Sequence, residues 1–362
     1  MSRMIEVVRH FRLEGNIDRI EAFGGGHIND TYRVFNGAAD SPDYLLQRVN
    51  DRVFPDVAGL MENIALVTDH LRGRIARAPF PANQQTTLFV VPTKDGARFY
   101  RDQEGKYWRM FHFLSDLHVY DFITTTRQAY EGAKSYGYFL RFLDDFPAGR
   151  LTEVIPGFHD LARRLRAFQL AANAPTSGRE PRCRTEVSLV SELAERLLVI
   201  DRLHKSGEIR QRVTHNDTKF NNVLLTPDDR GKCVIDLDTV MPGVVHFDFG
   251  DAVRSGIGTA GEDEADLSLV TVDLEKFRAF SAGYLEVTRD VLSATELRYL
   301  GLSGAYMTFI MGVRFLTDFL SGDVYYKISS PDHNLLRARN QLRLTQEFLA
   351  RLPDLDGIIR SS

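Results

Sequence analysis

The sequence is poor in cysteine and has no long apolar runs. Of its 362 residues only 2 are cysteine, Cys183 and Cys233, and neither lies in a Cys-x-x-Cys or Cys-His cluster. A disulfide framework and a zinc site are therefore not indicated, and a reducing compartment is favoured. No uninterrupted apolar run approaches the about 18 residues of a membrane span. Charged residues also interrupt the apolar ones at the N-terminus, unlike a signal peptide. We expect a cytoplasmic protein that does not enter a membrane.

An excess of positive charge is also lacking. The chain has 45 Lys and Arg residues against 49 Asp and Glu, which gives a net charge of -4. Because no overall basic field would attract nucleic acid or anionic lipid, neither is expected as a partner, and nothing indicates a protein partner. Hydrophobic residues make up 43% of the chain, which is typical of a globular protein and excludes a disordered one.

The first third of the chain predicts a small β-rich unit with one helix. Alternating β-branched and aromatic residues between turn residues indicate strands. These are expected at 17–23, 31–35, 44–49, 87–91 and 107–114. Apolar residues recur at three- and four-residue steps from Val57 to Leu71, which predicts a helix with Pro55 in its first turn. Three glycines lie at the turn between the first two strands, namely Gly24, Gly25 and Gly26.

From about residue 114 the pattern changes to long helical stretches. Examples are 124–146, 274–287 and 295–320. The pattern predicts an α+β fold with a β-rich lobe at 1–113 and a mainly helical lobe at 114–362. The acidic run 261–266 is predicted to be a solvated loop or a helix start. Three short strands are expected to surround a polar loop, at 212–214, 223–225 and 233–235.

The polar loop, residues 215–222, has the pattern His-x-Asp-x-x-x-x-Asn. In phosphoryl transfer this spacing has a purpose, because Asp217 can orient the proton of an attacking hydroxyl while Asn222 holds a metal ion against the phosphates. An apolar strand then ends at Asp236, where a carboxylate can meet the same metal. Further on, Asp248 is suited to cap the backbone of the loop or the start of the next helix.

An isolated His-x-Asp is also compatible with an ordinary turn in which Asp217 accepts backbone N–H bonds. The order of the residues decides against this alternative. A base, a metal-ligand Asn, an apolar strand and two further carboxylates follow a β-rich unit with a glycine turn, and this combination favours a phosphotransferase.

These motifs resemble the aminoglycoside phosphotransferase and choline kinase-like family, whose members share a two-lobed protein-kinase-like fold. Within it, the sequence is similar to the N-acetylhexosamine 1-kinases, which use ATP and magnesium to make an N-acetylhexosamine 1-phosphate. The similarity extends from about residue 11 to residue 343. Its most specific segments are 26–29, 213–219, 235–239, 247–251 and 312–316.

The resemblance implies roles for individual residues. Asp217 would be the catalytic base, and Asn222 and Asp236 the magnesium ligands. Four side chains would contact the sugar, with Tyr326 beside the last of them: His27, Asn29, Arg314 and Tyr325. Three residues would support the structure of the site: His215, Asp238 and Asp248. The structural alternatives are that His27 only caps the turn and that Arg314 forms a helical salt bridge with Asp318, and the sugar contacts are favoured over both.

The nucleotide site departs from the protein-kinase pattern. Protein kinases hold the phosphates with a Lys on the third strand, where this sequence has Gln47. Since Gln47 and Arg48 point to opposite faces, we expect Gln47 to face the phosphates and Arg48 the solvent. Gly24, Gly25 and Gly26 are expected to offer backbone N–H groups to the phosphates, although the three glycines alone fit a plain hairpin turn equally well. By analogy of fold alone, the adenine is placed beside Phe111 and Phe113.

The predicted activity is therefore ATP- and Mg²⁺-dependent phosphorylation of the anomeric hydroxyl of an N-acetylhexosamine. Another small alcohol remains an alternative acceptor: a different sugar, choline, homoserine or an aminoglycoside. A second class of function is a non-catalytic nucleotide- or sugar-binding regulator, suggested by the missing strand Lys.

Overall fold

A five-stranded sheet forms the N-terminal part of the chain. The computed structural model describes residues 2–24, 28–79, 84–173 and 177–362. The strands lie in the order β1-β2-β3-β5-β4, and every neighbouring pair is antiparallel. Their bounds are β1 Ile17–Ala22, β2 Asp30–Asn36, β3 Tyr44–Val49, β4 Tyr100–Arg101 and β5 Tyr107–His112.

The two faces of this sheet have different neighbours, because successive side chains of a strand point to opposite faces. One face carries Leu46 and Trp108, which belong to a separate small core with helix α1, Ser2–Val8. The opposite face carries Leu45 and Phe111, which belong to the main core of the protein. The second face is therefore the one that meets the helical lobe.

Helix α2, Val57–Ile75, connects the sheet to the helical lobe. Its N-terminus is capped by Asp56, whose carboxylate accepts a hydrogen bond from the Gly59 N–H at 2.8 Å. Pro55 precedes this cap, so the prediction that it lies in the first helical turn is wrong. The apolar face of α2 packs into the same core as the helices that follow.

The segment 87–91 does not form the predicted strand. Thr86 makes an isolated bridge with Cys233 of the helical lobe, and Val90 makes another with Phe111 of β5. The chain here passes from a bridge with the helical lobe to a bridge with β5. It therefore has no single neighbouring strand along its whole length with which to form a hydrogen-bonded ladder. The other four predicted strands of this lobe are present.

The remainder is mainly helical, so the predicted two-lobed α+β fold is confirmed. Ten helices follow the sheet in the described residues: α3 Thr126–Phe142, α4 Leu161–Asn173, α5 Arg184–Leu197, α6 Val199–Lys205, α7 Val245–Ile257, α8 Leu274–Thr288, α9 Ala294–Tyr299, α10 Ser303–Leu320, α11 His333–Ala350 and α12 Leu352–Ser361. The division into 1–113 and 114–362 stays a prediction.

Two small antiparallel sheets interrupt these helices. One pairs β6 Arg212–Thr214 with β9 Met241–Gly243, and the other pairs β7 Val223–Leu225 with β8 Gly231–Val234. They enclose the polar loop that the sequence singles out, between β6 and β7.

The segment Ala294–Leu320, which ends in α10, is long and apolar enough to cross a membrane by length and composition alone. However, 83% of its most apolar window is buried inside the protein. Such burial is the property of a central helix in a packed core.

Candidate active site

The loop between β6 and β7 brings Asp217 and Asn222 together. Asn222 ends a single 3₁₀ turn, Phe220–Asn222, and its Nδ2 donates hydrogen bonds to the Asp217 backbone oxygen at 2.8 Å and to Asp217 Oδ2 at 3.4 Å. The loop turns sharply at Asn216, whose φ of 63° lies in the left-handed region that Asn tolerates. The five-residue spacing thus places the two side chains next to each other.

Asp248 of α7 fixes the backbone of this loop. Its carboxylate accepts hydrogen bonds from the N–H groups of His215 at 2.8 Å and Asn216 at 2.7 Å. Burial raises the pKa of Asp248 to about 6, against the opposing effect of His215 and the two N–H donors. The hydroxyl of Thr218 also donates to the Asp248 backbone oxygen, at 2.6 Å. Asp217 is therefore carried on a loop with little freedom to move.

His215 connects the loop to the segment that carries Asp236. Its Nε2 lies 2.8 Å from the Ile235 backbone oxygen, and its own backbone oxygen accepts a hydrogen bond from the Thr239 hydroxyl at 2.7 Å. Because His215 is fully buried, these bonds fix the relative positions of the two segments.

Asp236 follows β8 in a strained conformation, with φ of 59°. Among the described residues its carboxylate has no hydrogen-bond or ion-pair partner, and it keeps an exposed face. Desolvation by the surrounding walls, followed by the charges of Asp238 and Asp217, raises the pKa of Asp236 to about 7, while Arg109 and Lys219 oppose the shift. Asp236 therefore offers an unpartnered carboxylate where the sequence predicts a metal ligand, and Asp238 and Asp217 are close enough for their charges to raise its pKa.

Asp238 is turned away from solvent, and each of its two carboxylate oxygens has a neighbour from the sheet lobe. Its Oδ2 accepts a hydrogen bond from Asn29 Nδ2 at 2.7 Å, and its Oδ1 forms an ion pair with Arg109 Nη1 at 2.5 Å. Asn29 follows the glycine turn, and Arg109 lies on β5. Asn29, assigned to the sugar by resemblance, thus contacts an aspartate of the other lobe in this structure.

Lys219 is a site residue that sequence reasoning missed. Its Nζ lies 2.9 Å from Asp217 Oδ1, and its side chain is half exposed. The signal was available in the motif itself, because Lys219 follows Asp217 by two residues and lies within the same loop. An ammonium group at this position stabilises the negative charge of Asp217.

The acidic run 261–266 is more than a solvated loop. Glu262 forms an ion pair with Arg254 at 3.0 Å and accepts a hydrogen bond from Arg337 Nε at 3.1 Å. Arg254 in turn pairs with Asp251 at 2.9 Å, and both side chains are about 5% exposed. Glu262 of this run therefore belongs to a partly buried charged network with Arg254, Asp251 and Arg337.

Arg314 and Tyr325 lie on one wall beside this network. The Arg314 guanidinium lies over the rings of Phe158, Tyr325 and Tyr326, at 5.2, 5.9 and 5.5 Å from their centroids. It forms no salt bridge with Asp318. That carboxylate instead accepts hydrogen bonds from the backbone N–H groups of 324–326. Tyr325 is 67% exposed, so the wall is open.

Of the residues predicted to bind nucleotide, Gln47 and Phe111 lie on the face of the sheet that meets the helical lobe. Gln47 Nε2 donates to Thr31 Oγ1 at 3.1 Å, and its Oε1 accepts from Arg109 Nε at 2.9 Å. Phe111 is buried in the main core, whereas Phe113 is partly exposed and packs edge-on against Phe23 at 5.3 Å.

The glycine turn is described only at its first residue. Gly24 has φ of 72° and open space around it, while Gly25, Gly26 and His27 lie outside the described residues. Arg48 pairs with Asp30 on the opposite face from Gln47. Glu62 of α2 pairs with Arg98 at 2.7 Å, so it takes no part in a strand–helix pair with position 47.

The phosphotransferase enzyme family (APH) matches residues 19–284, more than half of the chain. The chain belongs to this family. Its kinase-like fold is also that of a microcompartment-associated aminopropanol kinase, at 18% identity and a TM-score of 0.66 over 97% of this chain and 98% of that one.

Two other solved structures share the fold of this family member. An aminoglycoside phosphotransferase from Alicyclobacillus acidocaldarius subsp. acidocaldarius DSM 446 is 14% identical, with a TM-score of 0.64 over 99% of this chain and 96% of that one. An amicoumacin kinase, in complex with AMP-PNP and Ca²⁺, is 12% identical, with a TM-score of 0.59 over 98% and 93%.

Proposed function

We propose that this phosphotransferase moves the γ-phosphoryl group of ATP to the anomeric hydroxyl of an N-acetylhexosamine. The observation that carries the phosphoryl-transfer part is the fixed loop that holds Asp217 beside Asn222, with Asp236 unpartnered next to it among the described residues. A base, an amide and an unpartnered carboxylate in this order are the groups that phosphoryl transfer uses to orient the attacking hydroxyl and to hold a metal ion.

In this proposal Asp217 receives the proton of the sugar hydroxyl as that oxygen attacks the phosphorus. A positioned general base is worth about 10²–10⁴-fold in rate, and Asp217 is held by a loop whose backbone is bonded to Asp248. Most of the remaining acceleration comes from alignment and from neutralisation of charge, because the transition state of phosphoryl transfer has little covalent chemistry for the protein to perform.

The residues present fit a magnesium ion. Mg²⁺ prefers oxygen ligands, and it is typically bound through one or two carboxylates together with substrate phosphates. Asp236 offers an unpartnered carboxylate, and Asn222 uses its Nδ2 toward Asp217, which leaves its amide oxygen available. When bound, the ion would neutralise charge on the triphosphate. No cluster of three or more His, Cys, Asp or Glu in the described residues is arranged to hold a metal alone.

The wall formed by Arg314, Phe158, Tyr325 and Tyr326 supports a neutral sugar as the acceptor over a cationic alcohol. Arg314 has no carboxylate partner among the described residues, and its neighbour Arg164 donates only to the Phe158 backbone oxygen. The charge of Arg314 and burial together lower the pKa of Arg164 to about 10, with burial the larger cause. Choline and aminoglycosides carry positive charge that this wall would repel. Guanidinium donors and tyrosine rings suit hydroxyls and an acetamido carbonyl.

The experiment that tests the proposal presents purified protein with Mg²⁺·ATP and one acceptor at a time, and measures ADP release. The acceptors are N-acetylglucosamine, N-acetylgalactosamine, glucose, galactose, choline, homoserine and kanamycin. We expect stimulation by the N-acetylhexosamines. Stimulation by choline or kanamycin alone would contradict the sugar assignment, and no stimulation by any acceptor would favour the non-catalytic regulator.

The matched control for this experiment is Asp217→Asn, which keeps the shape of the side chain and removes the base. We expect turnover to fall by about 10²-fold or more, with the melting temperature and Mg²⁺·ATP binding retained. Full activity of this variant would remove Asp217 from the proposed role.

A further inference from the structure

A row of polar side chains crosses the face of the sheet that meets the helical lobe. The register pairs Thr31 of β2 with Gln47 of β3, and Gln47 with Arg109 of β5, so the three side chains lie side by side. Gln47 Nε2 donates to Thr31 Oγ1, and Arg109 Nε donates to Gln47 Oε1. The row therefore ends in a guanidinium group.

Arg109 is an unusual residue for its position. Its side chain is only 2% exposed. The other bulkiest fully buried side chains among the described residues are those of Phe and Tyr, so Arg109 is the one that carries a charge. Its neighbours along the strand, Trp108 and Met110, face the other core. Because a buried guanidinium loses its hydration, it is tolerated where specific partners need the charge.

The partner of Arg109 in the other lobe is Asp238, two residues after Asp236. The ion pair joins Arg109 Nη1 to Asp238 Oδ1 at 2.5 Å, and Asn29 Nδ2 holds the second carboxylate oxygen at 2.7 Å. Asn29 is itself fixed, since its Oδ1 accepts a hydrogen bond from the Asn50 N–H at 3.0 Å. Two residues of the sheet lobe thus hold the turn that begins at Asp236.

The guanidinium group of Arg109 also lies next to the position at which protein kinases have the strand Lys. Position 47 carries Gln in place of the strand Lys that holds nucleotide phosphates in protein kinases. The carboxylate that could have paired with such a Lys, Glu62, is directed to Arg98. Arg109 lies directly across from position 47 on the same face of the sheet.

We propose that Arg109 replaces the missing strand Lys as the fixed cation of the nucleotide site. It is a positioning residue, which acts by neutralising and orienting Asp238 and by fixing the Gln47 amide. With Asp238 neutralised by Arg109, the site presents less negative charge to a triphosphate, and the Asp236 turn is held in place. This inference rests on the proposed use of ATP, and it does not depend on the identity of the acceptor.

A charge-swap experiment tests the inference. Four variants are compared with the wild type: Arg109→Gln, Gln47→Lys, the double variant Gln47→Lys/Arg109→Gln, and Arg48→Gln as the matched control. The control removes one positive charge from β3 on the opposite face. Calorimetric titration with Mg²⁺·AMP-PNP, without any acceptor, gives the dissociation constant, and the melting temperature reports the fold.

We expect Arg109→Gln to bind Mg²⁺·AMP-PNP on the order of 10- to 100-fold more weakly, as loss of a charge-assisted bond predicts. The double variant should regain at least about tenfold of that loss, because facing side chains in a sheet lie within reach of the same partner. Arg48→Gln should bind as the wild type does. A purely structural role for Arg109 predicts no such rescue by a cation at position 47.

Three results would overturn the inference. The first is Arg109→Gln binding with wild-type affinity, and the second is a folded double variant that binds as weakly as Arg109→Gln. If Arg109→Gln does not fold, the double variant alone tests the inference. Its dissociation constant for Mg²⁺·AMP-PNP must then lie within about tenfold of the wild-type value. The third is a wild type that does not bind Mg²⁺·AMP-PNP, which would also contradict the proposed function. The first two leave that function intact.

Discussion

At the scale of single residues, the site depends on how each carboxylate is held. Asp248 is buried and bonded to two N–H groups, Asp238 is paired with Arg109, and Asp236 has no partner among the described residues. The same side-chain chemistry therefore serves to fix a backbone, to fix a turn, and to offer a free carboxylate. Asp217 differs again, because an ammonium group accompanies it.

Replacing that ammonium group should slow turnover. Lys219 Nζ lies 2.9 Å from Asp217 Oδ1, so Lys219→Met leaves Asp217 without its counter-charge and the site more repulsive to a triphosphate. We expect kcat to fall roughly 10- to 100-fold, with a smaller change in KM for ATP. Lys205→Met, at an exposed lysine of α6, is the control. A kcat of Lys219→Met within about twofold of the wild type would refute this role.

Which of these residues are predictable from sequence depends on their distance along the chain. Asp217 and Asn222 belong to one short loop, so spacing alone brings them together. Arg109 was not predicted, because its importance arises from the strand register with Gln47 and from a contact with Asp238 far along the chain. The sequence feature that could have indicated it is a charged residue, Arg109, between two apolar residues of a predicted strand.

At the scale of secondary-structure elements, helices α3 and α8 pack closely through glycines. A Cβ atom at Gly283 would lie 2.1 Å from the Tyr130 backbone oxygen, and one at Gly137 would lie 2.4 Å from Val287 Cγ2 and 3.0 Å from the Tyr284 backbone oxygen. Real atoms do not approach so closely, so the separation of the two helices is set by these glycines.

Adding one methyl group at this contact should destabilise the protein. Gly283→Ala forces the backbone of α3 to move, and we expect the free energy of unfolding to fall by about 1–3 kcal/mol. Gly73→Ala in α2 has only the end of the Arg77 side chain nearby, and it should stabilise by about 0.5–1 kcal/mol through helix propensity. Urea denaturation measures both. Equal stabilities of Gly283→Ala and the wild type would show that the helices can separate without cost.

Elements with a regular pattern were predicted well, and those without a continuous partner were not. The strand 44–49 and the helix from Val57 follow their side-chain periodicity. The segment 87–91 has strand-like residues, but within it only Val90 forms a bridge, to Phe111, while the preceding Thr86 bridges Cys233. Periodicity reports the side chains, whereas a strand also requires a neighbour along its whole length.

At the scale of the whole molecule, a buried carboxylate outside the proposed site affects stability. Asp201 of α6 is 8% exposed and accepts a hydrogen bond from the Tyr306 hydroxyl at 2.9 Å. Burial raises the pKa of Asp201 to about 6. The folded protein therefore holds a proton on this carboxyl between about pH 4 and 6 that the unfolded chain releases, so the stability contributed by Asp201 falls as the pH rises through this range.

Removing the ionisation should remove that dependence. Asp201→Asn keeps an oxygen for Tyr306 and has no charge to bury, so we expect about 1–3 kcal/mol more stability than the wild type at pH 8 and little difference near pH 4. Glu192→Gln, at an exposed position of α5, is the control. Denaturant unfolding at both pH values measures the effect, and an Asp201→Asn variant less stable than the wild type at pH 8 would contradict it.

The proposed function is defined by the atom that receives the phosphoryl group. The most direct measurement is the ³¹P and ¹H NMR spectrum of the product formed from N-acetylglucosamine and Mg²⁺·ATP. We predict a sugar phosphate whose phosphorus couples to the anomeric proton, together with one equivalent of ADP. A phosphate coupled to the protons of another ring or side-chain carbon, or ADP formed without any phosphorylated sugar, would contradict the proposed function.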